Sequence, residues 1–252
     1  MPHVTAIIPA RLNSSRFPRK VLYPLALGRS GKKPLIYYVW KAACQANTVN
    51  RIFIATDSED IGRAVNDFGG AVIMTSSRPR NGTERVAEAM HGLKTDIVIN
   101  IQADNLSLNG KILDRVVNAM AADNNIEFAT LACPIRREHQ NDKLQNKNVV
   151  KVVGDGKNGG RALWFSRLPI PLVKKKSAGE YHYLEHIGVY FMKLSALFDY
   201  AGWPIGRAEK AESLEQLRIL ENGRDINLFL TRSRIISVDS KKALNLLVKG
   251  KR

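Results

Sequence analysis

The stretch "VTAIIPARLNSSRFPRK", Val4 to Lys20, decides how the chain is read. Its first part, VTAIIPA, is a short unbroken apolar run, the form of a strand buried on both faces. Its second part, ARLNSSRFPRK, carries Arg11, Arg16, Arg19 and Lys20, and no Asp or Glu precedes Asp57. A buried strand that ends in an unneutralised cationic loop suits a sheet whose ligands sit beyond the carboxyl ends of its strands. The loop's charge then points to an anion, because Arg offers a fixed fork of donors to phosphate oxygens and Lys a mobile point charge.

The rest of the chain supports that reading. PLIYYVWKAACQAN reads as a helix with Pro34 at its start, RIFIAT as a strand, and SEDIGRAVNDFGG as a helix capped by Asp57 or Ser58. AVIMT, GTERVAEAMHGL, DIVINIQ and GKILDRVVNAMAAD continue the alternation of strand and helix. Such alternation predicts βαβ units and a mostly parallel sheet flanked by helices. The loops after Pro9, Thr56, Thr75 and Gln102 are where a site is expected. After Phe128 the pattern changes. FATLACPI, VVKVVGD, ALWFS and HIGVYFM are strands joined by turn-rich segments such as GDGKNGG, which predicts an antiparallel extension or small lobe. AEKAESLEQLRILENG then reads as a helix, RIISVD as a strand, and a closing helix starts at Lys241.

Length and composition set the bounds. The 252 residues, 44% hydrophobic and 25% charged, fill one large α/β domain or one domain with a small lobe. The net charge of +16 implies polyanionic company: nucleic acid, nucleotide phosphates, anionic sugars or an anionic membrane surface. A solvated basic face accounts for the C-terminal KKALNLLVKGKR and the Lys174–Lys176 run, and accounts less well for the Arg, Ser and Pro of the opening loop. Cys44 and Cys133 show no CxxC or Cys/His spacing, so they read as buried thiols in a reducing compartment, with neither a disulfide framework nor a zinc site. No signal peptide and no apolar run long enough to cross a bilayer is seen, which predicts a cytoplasmic protein.

Five constellations carry chemistry. The opening loop is not a Walker loop, since GxxxxGK[ST] is absent, and there is no GxGxxG for a dinucleotide. In INIQADN, Gln102 and Asp104 emerge from an apolar strand, where an Asp serves either as a turn or helix cap or as a Mg²⁺ ligand. Asp239 in IISVDSKKAL closes another strand and is likewise a helix cap or a second ligand to the same ion. In SSRPRNGTERVAEAM, Asn81, Gly82 and Thr83 precede a helix with Glu84 and Arg85 in its first turn. Such a helix start suits either an anion or ordinary capping. The last group is Arg167 in LWFSR, His186 and Tyr190 in HIGVY, and Glu215 and Gln216 in LEQLR.

In that order these segments resemble the sugar-acid cytidylyltransferases, in particular the 3-deoxy-manno-octulosonate (Kdo) cytidylyltransferases, over nearly the whole chain. The carriers are IIPARLNSSRFPRKVL, ATDSEDI, MTSSRPRNGTERVAEAM, INIQADNL, VKVVGDGKNGGRALWFSRLPIP, HIGVY, AESLEQLR and VDSKKAL. The resemblance implies a single nucleotidyltransferase domain over residues 1–252 of the nucleotide-diphospho-sugar transferase type, with a lobe near residues 128–200 that makes a homodimer. It implies transfer of CMP from CTP to the anomeric hydroxyl of a 2-keto-3-deoxy sugar acid, release of pyrophosphate, and use of the product in lipopolysaccharide or surface-glycan assembly. By position, it implies that Arg11 and Lys20 hold the triphosphate and that Asp104 and Asp239 bind Mg²⁺. It places Asn81, Gly82 and Arg85 along the nucleoside, and Gln102, Arg167, His186, Tyr190, Glu215 and Gln216 around the sugar acid.

The chain also departs from the family pattern. Arg19 stands where the family has Gly before the loop Lys. QADNL replaces QGDEP, RPR replaces an Asp-His pair, and SKKA replaces TPED after Asp239. Glu185 replaces a basic or neutral residue, and an insertion lies between Leu25 and Lys32. These departures imply a divergent member, with a sugar acid other than Kdo or with reduced catalysis. A neuraminate-like or pseudaminate-like acceptor and a non-catalytic nucleotide or nucleic-acid binder on the same scaffold are the alternatives. The second is disfavoured by the lack of aromatic residues among the basic segments.

Overall fold

The computed structural model describes the chain apart from residues 13–16, 28–30, 107, 157–158, 175–180, 233–235 and 238–252, with 236–237 described in backbone alone. The chain divides into two compact units, residues 1–121 with 235–252, and residues 122–234.

In the first unit the chain runs β1 (Val4–Ala10), β2 (Pro24–Leu25), β3 (Lys33–Pro34), α1 (Leu35–Ala43), β4 (Arg51–Thr56), α2 (Glu59–Asn66) and β5 (Ala71–Met74). It continues through α3 (Gly82–Ala89), β6 (Ile97–Ile101), β7 (Asn105–Leu106) and α4 (Gly110–Ala122). β1 and β6 are buried at every position, as the largely apolar strands of a two-sided parallel sheet should be. β1 pairs in parallel with β4 on one side and with β6 on the other, and β5 adds to β4, also in parallel. The chain therefore winds outward from β1 through β4 to β5, then returns to the far side of β1 as β6. That reversal puts a crevice at the carboxyl ends of β1 and β6, the switch point where open α/β sheets bind ligands.

Helix starts are set by single side chains. The Ser58 hydroxyl accepts the Ile61 N–H at 3.4 Å and caps α2, with Glu59 and Asp60 in the favourable first turn. Asp57 is not the cap. Asn81 caps α3 by accepting the Glu84 N–H at 2.8 Å, and the Glu84 carboxylate reaches back to the Arg80 N–H at 2.8 Å. This is a variant of the capping box, which satisfies donors on both sides of the helix start.

The second unit holds β8 (Phe128–Pro134), α5 (Gln140–Gln145), β9 (Lys151–Gly156), β10 (Gly159–Ser166), β11 (Leu184–Lys193), α6 (Leu194–Gly202), α7 (Arg207–Glu212), α8 (Leu217–Glu221) and β12 (Asn227–Leu230). Here β11 pairs antiparallel with β8 and β9, and β10 antiparallel with β9 and β12. Among the described residues of this unit, only β12 and β8 run parallel. The mostly parallel reading thus describes residues 1–121, and antiparallel pairing dominates residues 122–234. Returns as short as the one between β9 and β10 can join only antiparallel strands. The two remaining short pairings, β2 with β3 and β7 with β13 (Ile236–Ser237), are antiparallel as well.

Two further expectations change, the single helix over AEKAESLEQLRILENG and the buried cysteines. AEKAESLEQLRILENG is two helices, because Ser213 turns into the left-handed region at φ 53° between α7 and α8. The turn folds α8 back so that the fully buried Arg218 meets Glu209, with Nε and Nη2 at 2.6 and 2.7 Å from the carboxylate oxygens. Of RIISVD only Ile236–Ser237 is described as strand, and the closing helix from Lys241 lies outside the described residues. Cys44 is exposed and Cys133 half-buried, so neither is a core thiol; Cys44 sits one residue past α1, where the chain turns to solvent. Among the described residues no helix is long and apolar enough to cross a membrane.

Candidate active site

A cavity of about 210 Å³ opens in the first unit and is lined by Pro9, Arg11, Lys20, Val21, Gly82, Arg85, Gln102, Ala103 and Asp104. Its walls come from the segments after β1 and β6 and from the start of α3. It therefore lies at the switch point that the strand order defines. Six of the residues singled out from sequence meet here: Arg11, Lys20, Gly82, Arg85, Gln102 and Asp104.

The cationic loop is closed at its neck by a hydrogen bond from the Arg19 N–H to the Leu12 carbonyl at 2.9 Å. Phe17 is buried beside Tyr23, edge to face at 5.4 Å, which anchors the return of the loop. A short 3-10 turn, Lys20–Leu22, follows. Lys20 donates to Asp104 at 2.6 Å, with both side chains only partly exposed. Arg11 donates to the Pro79 carbonyl and so joins the loop after β1 to the segment before α3.

Gly82, the first residue of α3, lies against Gln102, the residue after β6. A Cβ there would lie 2.9 Å from Gln102 Nε2 and 3.2 Å from Oε1, so the missing side chain makes room for the Gln102 amide. Arg85 is only 1% exposed. It binds Asp57 at 3.1 Å, the Thr75 hydroxyl and the Ser76 carbonyl, while its buried Nε has no partner among the described residues. It therefore pins the chain after β4 and β5 beneath the cavity. Asn81 caps α3 and does not line the cavity. Asp239 and Arg16 lie outside the described residues.

In the second unit, His186 and Tyr190 flank a bulge in β11 and their rings are 5.6 Å apart. The Tyr190 hydroxyl donates to Gln216 Oε1 at 3.0 Å, and Gln216 Nε2 is buried with no partner among the described residues. An unmatched buried amide of this kind marks a place for a polar ligand or water. Burial depresses the His186 pKa to about 3, so the ring is neutral and shares a 2.9 Å hydrogen bond with Thr130. Burial first, then the Glu215 charge, raises the Tyr190 pKa well above its ordinary value, so the phenol stays a donor. Arg167 spends its guanidinium on the carbonyls of Glu212, Ser213 and Lys147 at 2.7–3.0 Å, and thereby fixes the turn after α7.

Sequence reasoning missed several residues. Asn100, fully buried in β6, donates to Thr83 at 2.9 Å and ties that strand to α3, while its Oδ1 has no partner among the described residues. A polar residue inside an apolar strand was the available signal. Asp57, weighed only as a cap, is the partner of Arg85. Lys151 is fully buried, with its ammonium on the carbonyls of Asn146, Val149 and Arg167, and burial lowers its pKa.

Among the described residues no group of three or more His, Cys, Asp or Glu side chains is placed to hold a metal. Mg²⁺ requires less, taking one or two carboxylates and filling the other positions with phosphate oxygens and water. Asp104, whose side chain is 24% exposed and lines the cavity, meets that requirement.

Comparison with known proteins agrees with the geometry. The cytidylyltransferase family model matches residues 5–226. A 3-deoxy-manno-octulosonate cytidylyltransferase of Chlorobium limicola is 39% identical over 241 residues, covering 96% of this chain and 94% of the relative. One from Syntrophobacter fumaroxidans is 40% identical over 251 residues, covering 97% and 95%. The solved structure of a CMP:2-keto-3-deoxy-manno-octonic acid synthetase complexed with CTP superposes with a TM-score of 0.86 at 34% identity, covering 99% of this chain and 98% of the other. The chain belongs to the cytidylyltransferase family and, within it, to the 3-deoxy-manno-octulosonate cytidylyltransferases.

Proposed function

We propose that the protein transfers CMP from CTP to the anomeric hydroxyl of 3-deoxy-manno-octulosonate, or of a closely similar 2-keto-3-deoxy acid, and releases pyrophosphate. The observation that carries the reading is the switch-point cavity, which sets two cationic side chains of one loop, Arg11 and Lys20, opposite the carboxylate of Asp104. In the reaction the acceptor oxygen forms a bond to the α-phosphorus, the bond from that phosphorus to the bridging oxygen breaks, and the hydroxyl proton leaves to solvent. Such a transfer needs in-line positioning and charge stabilisation more than a protein nucleophile.

In this reading Arg11 and Lys20 hold the triphosphate, Gly82 lies along the nucleoside with Asn81 capping the helix start that presents it, and Arg85 ties the segments after β4 and β5 to that helix. Gln102 orients the acceptor within the cavity. Gln216, Tyr190, His186 and Glu215 recognise the sugar acid, and Arg167 fixes the turn after α7 that precedes Glu215 and Gln216. His186, being neutral, contributes a hydrogen bond and no charge. Asp104, with Asp239, would hold Mg²⁺. When bound, the ion would draw charge from the phosphate oxygens and the departing pyrophosphate.

The reading extends to a homodimer made through a lobe near residues 128–200, supported by the exposed apolar side chains of Leu163, Trp164, Leu168 and Leu172. It also places the protein in the cytoplasm, where its two free cysteines suit a reducing environment, and assigns its product to lipopolysaccharide or surface-glycan assembly. The test is pyrophosphate release from each of the four NTPs against a panel of 2-keto-3-deoxy acids, with and without Mg²⁺. Release that needs CTP, Mg²⁺ and an octulosonate supports the reading. Release with a nonulosonate alone would move the acceptor, and no release with any acid would overturn it.

A further inference from the structure

Arg19 occupies the position where the family pattern has glycine, and two features of the structure explain how it does so. Its backbone lies in the left-handed region, φ 56° and ψ 22°, a conformation that glycine takes freely and a residue with a Cβ takes at a cost. Its guanidinium donates to Asp60 Oδ2 at 3.2 Å, in the first turn of α2. The Arg19 N–H closes the loop neck on Leu12, its carbonyl accepts the Leu22 N–H at 3.0 Å, and the next residue is Lys20, on Asp104. Arg63 holds the other oxygen of Asp60 at 2.6 Å, and these two arginines, Arg63 first, keep the Asp60 carboxyl below its ordinary pKa. Asp60 is thus a charged, fixed anchor beside a loop whose Arg11 and Lys20 line the cavity.

We propose that Arg19 is a positioning residue: its backbone makes the left-handed turn that aims Lys20 into the nucleotide cavity, and its side chain ties that turn to α2 through Asp60. The proposal rests on the cytidylyltransferase reading of that cavity. Glycine would make the turn without a tether; Arg19 makes the same turn with one. An exposed ion pair adds little to global stability, so the effect is expected in the affinity of the loop for CTP.

The experiment is CTP titration and steady-state pyrophosphate release with Arg19→Gly, Asp60→Asn, their double variant and Arg19→Ala. Thermal midpoints close to wild type show that each variant is folded. If Arg19 acts as a tether, Arg19→Gly and Asp60→Asn both weaken CTP binding, each about two- to fivefold. The double variant is then no weaker than either, and kcat at saturating CTP is kept. Arg19→Ala, which loses the tether and keeps the backbone cost, is weaker still, by about tenfold. If Arg19 acts only as another positive charge, the two single variants move in opposite directions, because Asp60→Asn removes a negative charge near the triphosphate. That result would overturn the proposal, as would additive losses in the double variant or an Arg19→Ala variant equal to Arg19→Gly. A wild-type protein that failed to bind CTP would instead overturn the cytidylyltransferase reading, and the loop role with it.

Discussion

The Lys20 ammonium and the Asp104 carboxylate meet at 2.6 Å, although 84 residues separate them in sequence. The parallel pairing of β1 with β6 brings their two following segments together. Without substrate, Asp104 neutralises the cation that the triphosphate would use; with substrate, each group would turn to phosphate, directly or through an ion. Asp104→Ala is therefore expected to separate binding from turnover. CTP affinity in the absence of metal should hold or rise, since Lys20 is released. Pyrophosphate formation should fall by about a hundredfold or more, the scale seen when a preorganised charge-stabilising group is deleted. Lys20→Ala should weaken both. Wild-type turnover in Asp104→Ala would remove this carboxylate from the chemistry.

Gly82→Ala probes the contact between α3 and Gln102. The new Cβ would enter within 2.9 Å of the amide nitrogen of a flexible side chain, so Gln102 can move aside and the fold should lose about 1 kcal/mol, the low end of what overpacking costs. The displaced amide would no longer face the cavity as it does now. A misplacement of about 1 Å can cost up to about a hundredfold in rate, so kcat/KM should drop while the thermal midpoint stays nearly fixed. An unchanged kcat/KM would show that Gln102 is not in contact with substrate.

Much of this site was legible in the sequence because its carriers interrupt strong patterns. Arg11 and Lys20 follow a fully buried, largely apolar strand, and Asp104 follows another. What sequence could not supply was adjacency. That Lys20 faces Asp104 follows from strand order, and that Asp57 belongs to Arg85 follows from which helix crosses the ends of β4 and β5. The break between α7 and α8 carries no Gly or Pro; it exists because a buried Arg218 needs Glu209, a tertiary demand that overrides helical propensity. Arg19 was legible as an anomaly. Its left-handed backbone was not, because the residue type argues against a positive φ.

The Arg218–Glu209 pair gives a stability prediction in the second unit. Arg218 is fully buried, forms two short bonds to the carboxylate and stacks 4.4 Å above the Tyr200 ring. Removing one member strands the other charge out of water, which costs about 3–5 kcal/mol. Arg218→Met should lower the thermal midpoint by roughly 10 °C, taking about 2–4 °C per kcal/mol for a chain of this size. The double variant Arg218→Met/Glu209→Leu should recover a large part of the loss, because neither charge is then left unpaired. Equal midpoints for the single and double variants would show that the loss comes from packing against Tyr200.

His186 makes stability depend on pH, with a definite sign. Burial holds its folded-state pKa at about 3, against an ordinary value of 6.5. The unfolded chain therefore binds a proton that the folded chain refuses between those two values. Stability from this group is fully present above about pH 6.5 and is lost as pH falls toward 3, at about 1.4 kcal/mol per pH unit. Urea midpoints at pH 7.5, 6.0 and 5.0 should fall steadily in the wild type. His186→Gln can keep a hydrogen bond to Thr130 but cannot take up the proton, so its midpoints should fall less steeply across the same range. Parallel slopes for the two proteins would mean that the folded state accepts the proton on His186 and that the pocket around it is open to water.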